Sequence, residues 1–304
     1  MSQFSTVTTC FNEEDIITKA VKSISNQTAY DLIDKIYVVD DGSKDNSRTV
    51  IEDLAKKEPK IRYVYQDNAG LPSARNTALK LIDSEYIAFL DGDDYWHPKK
   101  IEIFFKEIKL NPGAGIYYSN YMKVIKGREE LVQPIKYHVN DTNQLDKFLA
   151  NGGPIVPSTV VITQECLNEV GYFNKEFLNA EDTEYWLRTC AKLPLHYIDY
   201  PLTYKVSLTD SLGSNRPEKV MYIQRAMDDL VQDRPELEKS KKLREFKLQK
   251  SVFMYYLGKR KYKEAVLMIK FLYQLRPKEK SFISYLSNFI KRVARRYVHK
   301  GIII

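Results

Sequence analysis

The stretch YIAFLDGDDYW, from Tyr86 to Trp96, runs an apolar strand directly into three carboxylates. Residues Tyr86–Leu90 lack the polar alternation of a half-exposed strand, which indicates a strand buried on both faces. Asp91, Asp93 and Asp94 follow it, and in open α/β sheets the carboxyl ends of the strands border the ligand crevice. Acids this close repel one another unless a cation neutralises them, and carboxylate oxygens suit Mg²⁺ or Mn²⁺. An acidic surface turn is the alternative interpretation.

Strands and helices alternate in the sequence before this stretch. Three short apolar runs predict strands over Phe4–Thr9, Lys35–Val39 and Ile61–Tyr65, and apolar residues at helical spacing follow each of them. This alternation predicts an α/β domain with a mostly parallel sheet and right-handed crossovers. Three of the predicted strands end in polar loops, at residues 9–13, 40–43 and 91–94. We expect these loops to meet at one edge of the sheet.

Two side chains near these loops suit an anionic, nucleotide-like ligand. Asp40 can accept hydrogen bonds from a base or a ribose, and Arg75, in a helix predicted over Ser73–Leu81, can neutralise a phosphate. Gly92 lets the backbone turn and approach a ligand closely. Each of these residues taken alone is more often a cap, a turn or part of a surface ion pair, so the prediction rests on their convergence.

Four motifs occur in a fixed order: STVTTCFNEED (residues 5–15), YVVDDGSKDNS (37–47), QDNAGLPSARNTAL (66–79) and YIAFLDGDDYWHPKK (86–100). In this order they resemble the family 2 glycosyltransferases of the GT-A fold, over about residues 1–215. The resemblance implies a Rossmann-like, mostly parallel α/β sheet flanked by helices. It also implies hexosyl or N-acetylhexosaminyl transfer from a nucleotide sugar, with UDP as the expected carrier.

The resemblance assigns the donor site residue by residue. It implies that Thr9, Phe11 and Glu13 frame the nucleobase and that Asp40 binds the edge of its ring. It further implies that Arg75 lies near the diphosphate of the donor.

The family's DxD pair looks like Asp91 and Asp93, with Gly92 between them in the donor site. Asp93 would hold the Mn²⁺ or Mg²⁺ that bridges the diphosphate, and Asp91 would bind the ribose or the metal. The resemblance gives Asp94 no role. Some relatives add a late His to the metal, but Tyr200–Arg216 contains none, so a His ligand is left open.

A second acidic site is expected because an acceptor hydroxyl needs a base and a leaving diphosphate needs its charge stabilised. Glu181 and Asp182 precede an apolar face at helical spacing in FLNAEDTEYWLRTCAKL (177–193), which predicts that they occupy the first turn of a helix. Capping of that helix is the alternative. Beside the upstream motifs they look like the family's Glu-Asp motif. This implies Asp182 as general base, Glu181 as a group that positions it or binds the acceptor, and an inverting single displacement.

The segment between the two acidic sites is expected to face the acceptor. Gly152, Gly153 and Pro154 mark a bent loop, and Ser158–Ile162 is predicted to form a strand. In similar enzymes this segment contacts the acceptor, so Ser158 and Thr159 are candidate acceptor-binding residues. The acceptor implied by the resemblance is a glycan or a lipid-linked sugar in surface polysaccharide synthesis.

The charge of the chain changes sign along its length. Residues 216–304 hold 23 Lys and Arg against 9 Asp and Glu, whereas residues 1–215 hold 24 against 31. We therefore predict a catalytic domain over residues 1–215 and a basic α-helical module over residues 216–304. The last helix, residues 282–299, has an apolar face and a basic face. This pattern fits either an interfacial helix on an anionic membrane surface or a helix packed on the catalytic domain.

The composition of the chain predicts where the protein is located and which partners it lacks. The start of the chain has no basic, apolar leader, and no run of 18 apolar residues occurs, so we expect a cytoplasmic protein that can lie on the inner face of the membrane. Three widely spaced cysteines fit free thiols. The basic residues lie on amphipathic helices without a nucleic-acid motif, so no nucleic-acid partner is predicted. A non-catalytic sugar-nucleotide or glycan-binding protein that kept the fold is the alternative to an enzyme.

Overall fold

The computed structural model describes residues 3–207 and 216–274 of the chain. The strands are β1 (Phe4–Cys10), β2 (Ile33–Asp40), β3 (Ile61–Tyr65), β4 (Tyr86–Asp91), β5 (Tyr95–Trp96), β6 (Ile116–Ile125), β7 (Arg128–Val132), β8 (Val160–Thr163) and β9 (Leu195–Val206). The helices are α1 (Ile17–Ser25), α2 (Ser47–Lys57), α3 (Leu71–Leu79), α4 (Lys100–Leu110), α5 (Gln144–Asn151), α6 (Gln164–Val170), α7 (Glu181–Cys190), α8 (Arg216–Asp233), α9 (Glu238–Gly258) and α10 (Tyr262–Gln274).

All nine strands belong to one sheet, in the order β3-β2-β1-β4-β8-β6-β9-β5, with β7 paired to β6. The first four strands of this order run parallel to one another, and β9 is parallel to β6. Strand β8 is antiparallel to both β4 and β6, so it joins the two parallel parts. The α/β fold with helices on both sides of a largely parallel sheet, predicted from the strand and helix alternation, is confirmed.

Strand β4 is buried on both faces, as its apolar sequence predicts. Ile87 and Phe89 belong to one hydrophobic cluster, which includes residues of α3, α6 and α7. Ala88 and Leu90 point to the other face, into a cluster with residues of α1, α2 and α4. Successive side chains of a strand point to opposite faces, so a strand between two helix layers needs apolar residues at every position. The polar residues that follow it therefore stand at the edge of the sheet.

Several element boundaries differ by one or two residues from the sequence-based expectation, and two of these differences bear on the site. The helix predicted over Ser73–Leu81 is α3, which begins two residues earlier because Gly70, with a φ of +84°, ends the preceding loop. The strand predicted over Ser158–Ile162 begins only at Val160, because Pro157–Thr159 forms a 3₁₀ turn. This turn has a function in the site, described below.

The C-terminal helices share the core of the sheet. Val220 and Met227 of α8 and Val252 of α9 lie in the same hydrophobic cluster as Ile87 and Phe89 of β4. The division of the chain at residue 215 stays a prediction. The amphipathic helix predicted over residues 282–299 lies outside the described residues. Within residues 3–207 and 216–274, no helix is long and apolar enough to cross a membrane.

Two glycines with a similar backbone conformation, Gly42 and Gly127, allow a test of how tightly the loop after β2 packs. Gly42 has a φ of +78°, and a Cβ there would lie 2.7 Å from the backbone nitrogen of Asn68. Gly127 has a φ of +76°, but no described atom lies within 4 Å of its Cβ position. We expect Gly127→Ala to lower the free energy of unfolding by about 1–2 kcal/mol through backbone strain alone. Gly42→Ala should lower it by at least about 1 kcal/mol more in urea denaturation; equal losses would show that the loop is not packed as described.

Candidate active site

Three polar loops meet at the carboxyl edge of the sheet, as the sequence predicts. Strand β1 lies between β2 and β4, with Cys10 beside Asp40 and Thr9 beside Asp91. The loop after β1 is hydrogen-bonded to the loop after β2 through Asn12, whose backbone nitrogen donates to Ser43 Oγ at 2.9 Å. The backbone nitrogen of Gly92 donates to the Thr9 carbonyl at 3.0 Å. Direct hydrogen bonds therefore hold the three loops together.

The residues predicted to frame a nucleobase lie at this edge. Phe11 is 46% exposed, an open aromatic face beside the sheet. Asp40 is buried and accepts hydrogen bonds from the Ser43 backbone nitrogen at 2.8 Å and from the Tyr63 hydroxyl at 3.0 Å. Thr9 is also buried. Because the carboxylate of Asp40 already has two partners within the protein, its contact with a base stays a prediction.

Asp41 has a structural function that the sequence pattern does not indicate. Its Oδ1 accepts hydrogen bonds from Gln66 Nε2 at 2.6 Å and from the Ala69 backbone nitrogen at 2.9 Å. Its Oδ2 accepts one from the Gly70 backbone nitrogen at 2.9 Å. These bonds fix the loop that leads into α3, and α3 carries Arg75.

We call residues Asp91–Asp94 the acid turn. One carboxylate oxygen from each of Asp91, Asp93 and Asp94 lies within 4.8 Å of the other two. Glu13 lies against the turn, and its buried Oε2 has no hydrogen-bond partner among the described residues. A Cβ at Gly92 would overlap Glu13 Oε2 and lie 2.7 Å from the Thr9 carbonyl oxygen. Only glycine at position 92 therefore allows Glu13 to approach the three aspartates.

The acid turn carries more negative charge than the protein compensates. Burial, with the nearby Asp93 and Asp91, raises the pKa of Glu13 to about 9. Burial also raises the pKa of Asp94 to about 7, against the opposing effect of Lys205, and burial and Asp91 raise the pKa of Asp93. Three carboxyl groups with raised pKa values in one place indicate a site that favours an added positive charge.

Arg75 connects the acid turn to the second acidic site. Its guanidinium, 2% exposed, donates from Nη2 to Asp91 Oδ1 at 2.9 Å and from Nη1 to Glu181 Oε1 at 2.6 Å. Burial would raise the pKa of Asp91, but Arg75 and Lys205 together lower it below its ordinary value. Arg75 thus lies between Asp91 and Glu181, and its predicted place near the diphosphate of the donor stays a prediction.

The family resemblance leaves Asp94 without a role. In the structure its carboxylate connects the acid turn to β9 by a hydrogen bond. Its side chain is fully buried, and Oδ2 accepts a hydrogen bond from Ser158 Oγ at 2.6 Å while Oδ1 accepts one from the Val206 backbone nitrogen at 2.9 Å. The ammonium of Lys205 lies 3.5 Å from Oδ2. Asp94 is thus bound on three sides, whereas Asp93 accepts no hydrogen bond from a described side chain.

Ser158 is a hydrogen-bonding centre beneath the acid turn. Its Oγ accepts from the Asp91 backbone nitrogen at 3.0 Å, in addition to donating to Asp94. Its carbonyl accepts from Trp96 Nε1 at 2.9 Å, from Lys100 Nζ at 3.1 Å and from Thr203 Oγ1 at 2.9 Å. From the 3₁₀ turn at positions 157–159, Ser158 thus bonds the acid turn through its hydroxyl and Trp96, Lys100 and Thr203 through its carbonyl.

The structure does not bring the two candidate acceptor residues to the surface of the site. Ser158 and Thr159 are fully buried. The Thr159 hydroxyl donates to the Val156 carbonyl at 2.7 Å, and Ser158 is used as described above. In this conformation both hydroxyls are used in hydrogen bonds within the protein.

Helix α7 begins with Glu181 and Asp182, as predicted. Glu181 is buried against Arg75, and burial raises its pKa despite the nearby guanidinium. Asp182 is half-buried, and its Oδ1 accepts hydrogen bonds from the backbone nitrogen of Thr183 at 2.6 Å and from the Thr183 hydroxyl at 3.2 Å. The apolar face behind them contains Tyr185 and Trp186, both buried. One oxygen of Asp182 is therefore oriented by its neighbour, and the other, Oδ2, accepts no hydrogen bond from Thr183.

The residues present fit a hard divalent cation. They offer carboxylate oxygens grouped closely enough for one ion, a buried Glu13 oxygen without a partner, and a glycine that leaves room beside it. Among the described residues no histidine joins this group: His196 packs against Tyr117 and His138. A cation here would be held by oxygen ligands, with Asp93 the aspartate least engaged by the protein.

A family model described as glycosyl transferase family 2 matches residues 5–170, which is more than half of the chain. The protein therefore belongs to glycosyl transferase family 2. The match includes the acid turn and Arg75 and ends before α7, so the Glu181–Asp182 pair lies beyond it.

Several proteins are similar in sequence. EpsJ of Bacillus subtilis, an uncharacterised glycosyltransferase, is 38% identical over 111 residues, which cover 35% of this chain and 32% of EpsJ. An uncharacterised glycosyltransferase of Rickettsia conorii is 29% identical over 213 residues, 68% of this chain and 34% of that protein. Chondroitin synthase of Escherichia coli is 25% identical over 189 residues, 62% of this chain and 26% of the synthase. The chain thus spans about a third or less of the length of these relatives.

Two solved structures share the fold. S. aureus TarS, residues 1–349, in complex with UDP-GlcNAc has a TM-score of 0.63 at 18% identity, covering 80% of this chain and 70% of the TarS chain. The mannosyltransferase PcManGT from Pyrobaculum calidifontis, in complex with GDP-Man and Mn²⁺, has a TM-score of 0.64 at 14% identity, covering 99% of this chain and 81% of the other. These likenesses confirm the GT-A fold that the four motifs predict.

Removing Arg75 should destabilise the protein strongly. Arg75→Met leaves Asp91 and Glu181 without the cation that both contact, and loss of one partner of a buried ion pair costs about 3–5 kcal/mol. Arg48→Met is the matched control, since Arg48 pairs with Glu52 at the surface and should cost less than about 1 kcal/mol. Adding Glu181→Gln to Arg75→Met should recover part of the loss. Urea denaturation measures all four proteins; similar costs for the two arginines would contradict the bridge.

Glu13 should make stability depend on pH when no divalent cation is present. Its pKa is about 9 in the folded protein against an ordinary value of 4.5, so between these values the folded state holds a proton that the unfolded chain has released. The free energy of unfolding contributed by Glu13 therefore falls as pH rises through this range. In cation-free buffer, the fall should be less steep in Glu13→Gln than in the natural protein. Parallel pH profiles would show that Glu13 is not protonated in the site.

Proposed function

We propose that this protein is a metal-dependent, inverting glycosyltransferase that uses a nucleotide sugar, with UDP as the carrier, to extend a glycan or lipid-linked acceptor in surface polysaccharide synthesis. The observation that supports it most is the Arg75 bridge, which joins the acid turn at Asp91 to the first turn of α7 at Glu181. Asp182 follows Glu181 directly. The carboxylates suited to bind a cation and the carboxylate suited to act as a base are therefore connected through one buried arginine.

The acid turn would bind the leaving group of the donor. Asp93, with Asp91, would hold Mn²⁺ or Mg²⁺, and such an ion when bound stabilises the charge that develops on a leaving diphosphate. The carboxylate of Asp91 is kept ionised by Arg75 and Lys205, both of which lower its pKa. Thr9, Phe11 and Asp40 would contact the nucleobase, with the exposed ring of Phe11 available for stacking. Glu13, which the resemblance also assigns to the nucleobase, instead directs a carboxylate oxygen to the acid turn.

Asp182 would act as the general base. Thr183 occupies its Oδ1, so the other oxygen can take the proton of the acceptor hydroxyl. The acceptor oxygen then bonds to the anomeric carbon as the bond from that carbon to the diphosphate breaks. One displacement on one carbon inverts its configuration. Glu181, whose Oε1 accepts from Arg75, would set the position of the base.

The nature of the donor is supported by the relatives. TarS has been solved in complex with UDP and with UDP-GlcNAc, and PcManGT with GDP-Man and Mn²⁺. Two of the proteins similar in sequence to this chain are named as chondroitin synthases, from Escherichia coli and Pasteurella multocida. These favour a hexose or N-acetylhexosamine on a nucleoside diphosphate, and UDP is our first candidate.

Binding at the membrane surface is part of the proposal for the acceptor. Residues 216–304 carry a strong excess of basic residues, and such a segment is attracted to anionic lipid, where a lipid-linked acceptor would be found. A cytoplasmic location on the inner face of the membrane stays a prediction, because the segment predicted to form the membrane-binding helix, residues 282–299, lies outside the described residues.

Asp182→Asn separates catalysis from binding. We expect sugar transfer from the best of a panel of UDP- and GDP-sugars to fall by about 10²–10⁴-fold, the usual contribution of a general base. UDP affinity in the presence of Mn²⁺ should stay within about twofold, because Asp182 does not contact the acid turn. Asp83→Asn, an exposed aspartate, is the matched control and should leave both values unchanged. Full activity in Asp182→Asn would refute the assignment of the base. UDP binding by the natural protein without transfer from any donor would favour the non-catalytic binder.

A further inference from the structure

Lys205 is a charged residue at the acid turn for which the proposed mechanism has no separate use. It lies near the end of β9, and its neighbour Val206 donates a backbone hydrogen bond to Asp94. The ammonium itself lies 3.5 Å from Asp94 Oδ2, a long contact for an ion pair. The Lys205 side chain is 30% exposed, whereas that of Asp94 is fully buried. Lys205 therefore reaches the acid turn from the solvent side.

The two cations that pair with the acid turn are held very differently. Arg75 is 2% exposed and is bound by two carboxylates, so its charge stays in place. Lys205 has one long ion pair in the described part of the chain and a flexible four-carbon stem. A lysine ammonium donates in three directions and can move between anionic partners. Of the two positive charges at the turn, that of Lys205 is the less constrained.

The charge of Lys205 affects how strongly the acid turn attracts a divalent cation. Glu13, Asp91, Asp93 and Asp94 form a group that attracts a divalent cation strongly if it is left uncompensated. A resident ammonium weakens that attraction. When a diphosphate arrives with the cation, it adds negative charge at the same place, and the ammonium then attracts the diphosphate.

We propose that Lys205 is the resident counter-ion of the acid turn and couples the binding of the divalent cation to the binding of the donor diphosphate. It offsets part of the negative charge of the turn while the site is empty, which weakens binding of the cation alone. It pairs with the diphosphate once cation and donor are both bound, which strengthens binding of the two together. This inference rests on the proposed metal-dependent donor site and adds a donor-binding residue that the family motifs do not identify.

Calorimetric titration of Mn²⁺ and UDP into Lys205→Gln tests the coupling without measuring transfer. Gln can still donate a hydrogen bond to Asp94, so the buried carboxylate keeps a partner. We expect Lys205→Gln to bind Mn²⁺ alone about tenfold more tightly than the natural protein, since one positive charge is lost beside the cation. With Mn²⁺ saturating, it should bind UDP about tenfold more weakly.

Two control variants isolate the contact from the charge in general. Lys205→Arg keeps the charge and should retain the coupling. Lys123 lies opposite Lys205 on β6, and among the described residues it forms no ion pair with the acid turn. Lys123→Gln removes a charge of the same sign from the same sheet without removing an ion pair of the acid turn, so it should change both affinities by less than about twofold. Lys205→Met serves as a second neutral variant if Lys205→Gln does not fold.

The outcomes distinguish this inference from the proposed function. If Lys205→Gln binds Mn²⁺ alone no more tightly and UDP with Mn²⁺ no more weakly than the natural protein, Lys205 is not the counter-ion. An equal effect of Lys123→Gln would also overturn the proposal. If the natural protein binds no Mn²⁺ even with UDP present, the proposed metal site itself fails, whatever the variants do.

Discussion

The buried guanidinium of Arg75 is the interaction on which the rest of the site depends. It lies between Asp91 at the end of β4 and Glu181 at the start of α7, two elements about ninety residues apart in the chain. A charge this deep is stable because both carboxylates compensate it, and Arg75 in turn lowers the pKa of Asp91 and orients Glu181. One side chain thus links the acid turn to the first turn of α7, the two parts of the proposed site.

The acid turn shows how the protein holds several carboxyl groups close together although Arg75 and Lys205 offset only part of their charge. The Ser158 hydroxyl and the Val206 backbone nitrogen hold Asp94, and Gly92 admits Glu13 to the same place. Burial raises the pKa of Glu13. A proton on this carboxyl group therefore lowers the negative charge at the turn. Such a site is preorganised at the expense of stability, which is typical where binding of a ligand supplies the compensating charge.

Much of this arrangement could be predicted from sequence, because it depends on local patterns. The buried strand β4, the convergence of three polar loops and the position of Glu181 in the first turn of α7 follow from apolar periodicity and from the connection of parallel strands. The functions of Asp41, Ser158 and Lys205 could not be predicted. Their hydrogen bonds and ion pairs join residues 25 to 111 positions apart, and such contacts leave no periodic signal. The only signal for Lys205 was its charge, which is common to many surface lysines.

The central claim is that the acid turn and the start of α7 form one site, in which a cation lies on the turn and Asp182 faces it. Anomalous diffraction at the manganese edge, from crystals grown with Mn²⁺ and UDP, tests this directly. The account predicts one strong peak within about 2.5 Å of the Asp93 carboxylate, in contact with the UDP diphosphate, with Asp182 facing the open side of that diphosphate and Arg75 still between Asp91 and Glu181. A peak elsewhere, or bound UDP without manganese at the acid turn, would contradict it.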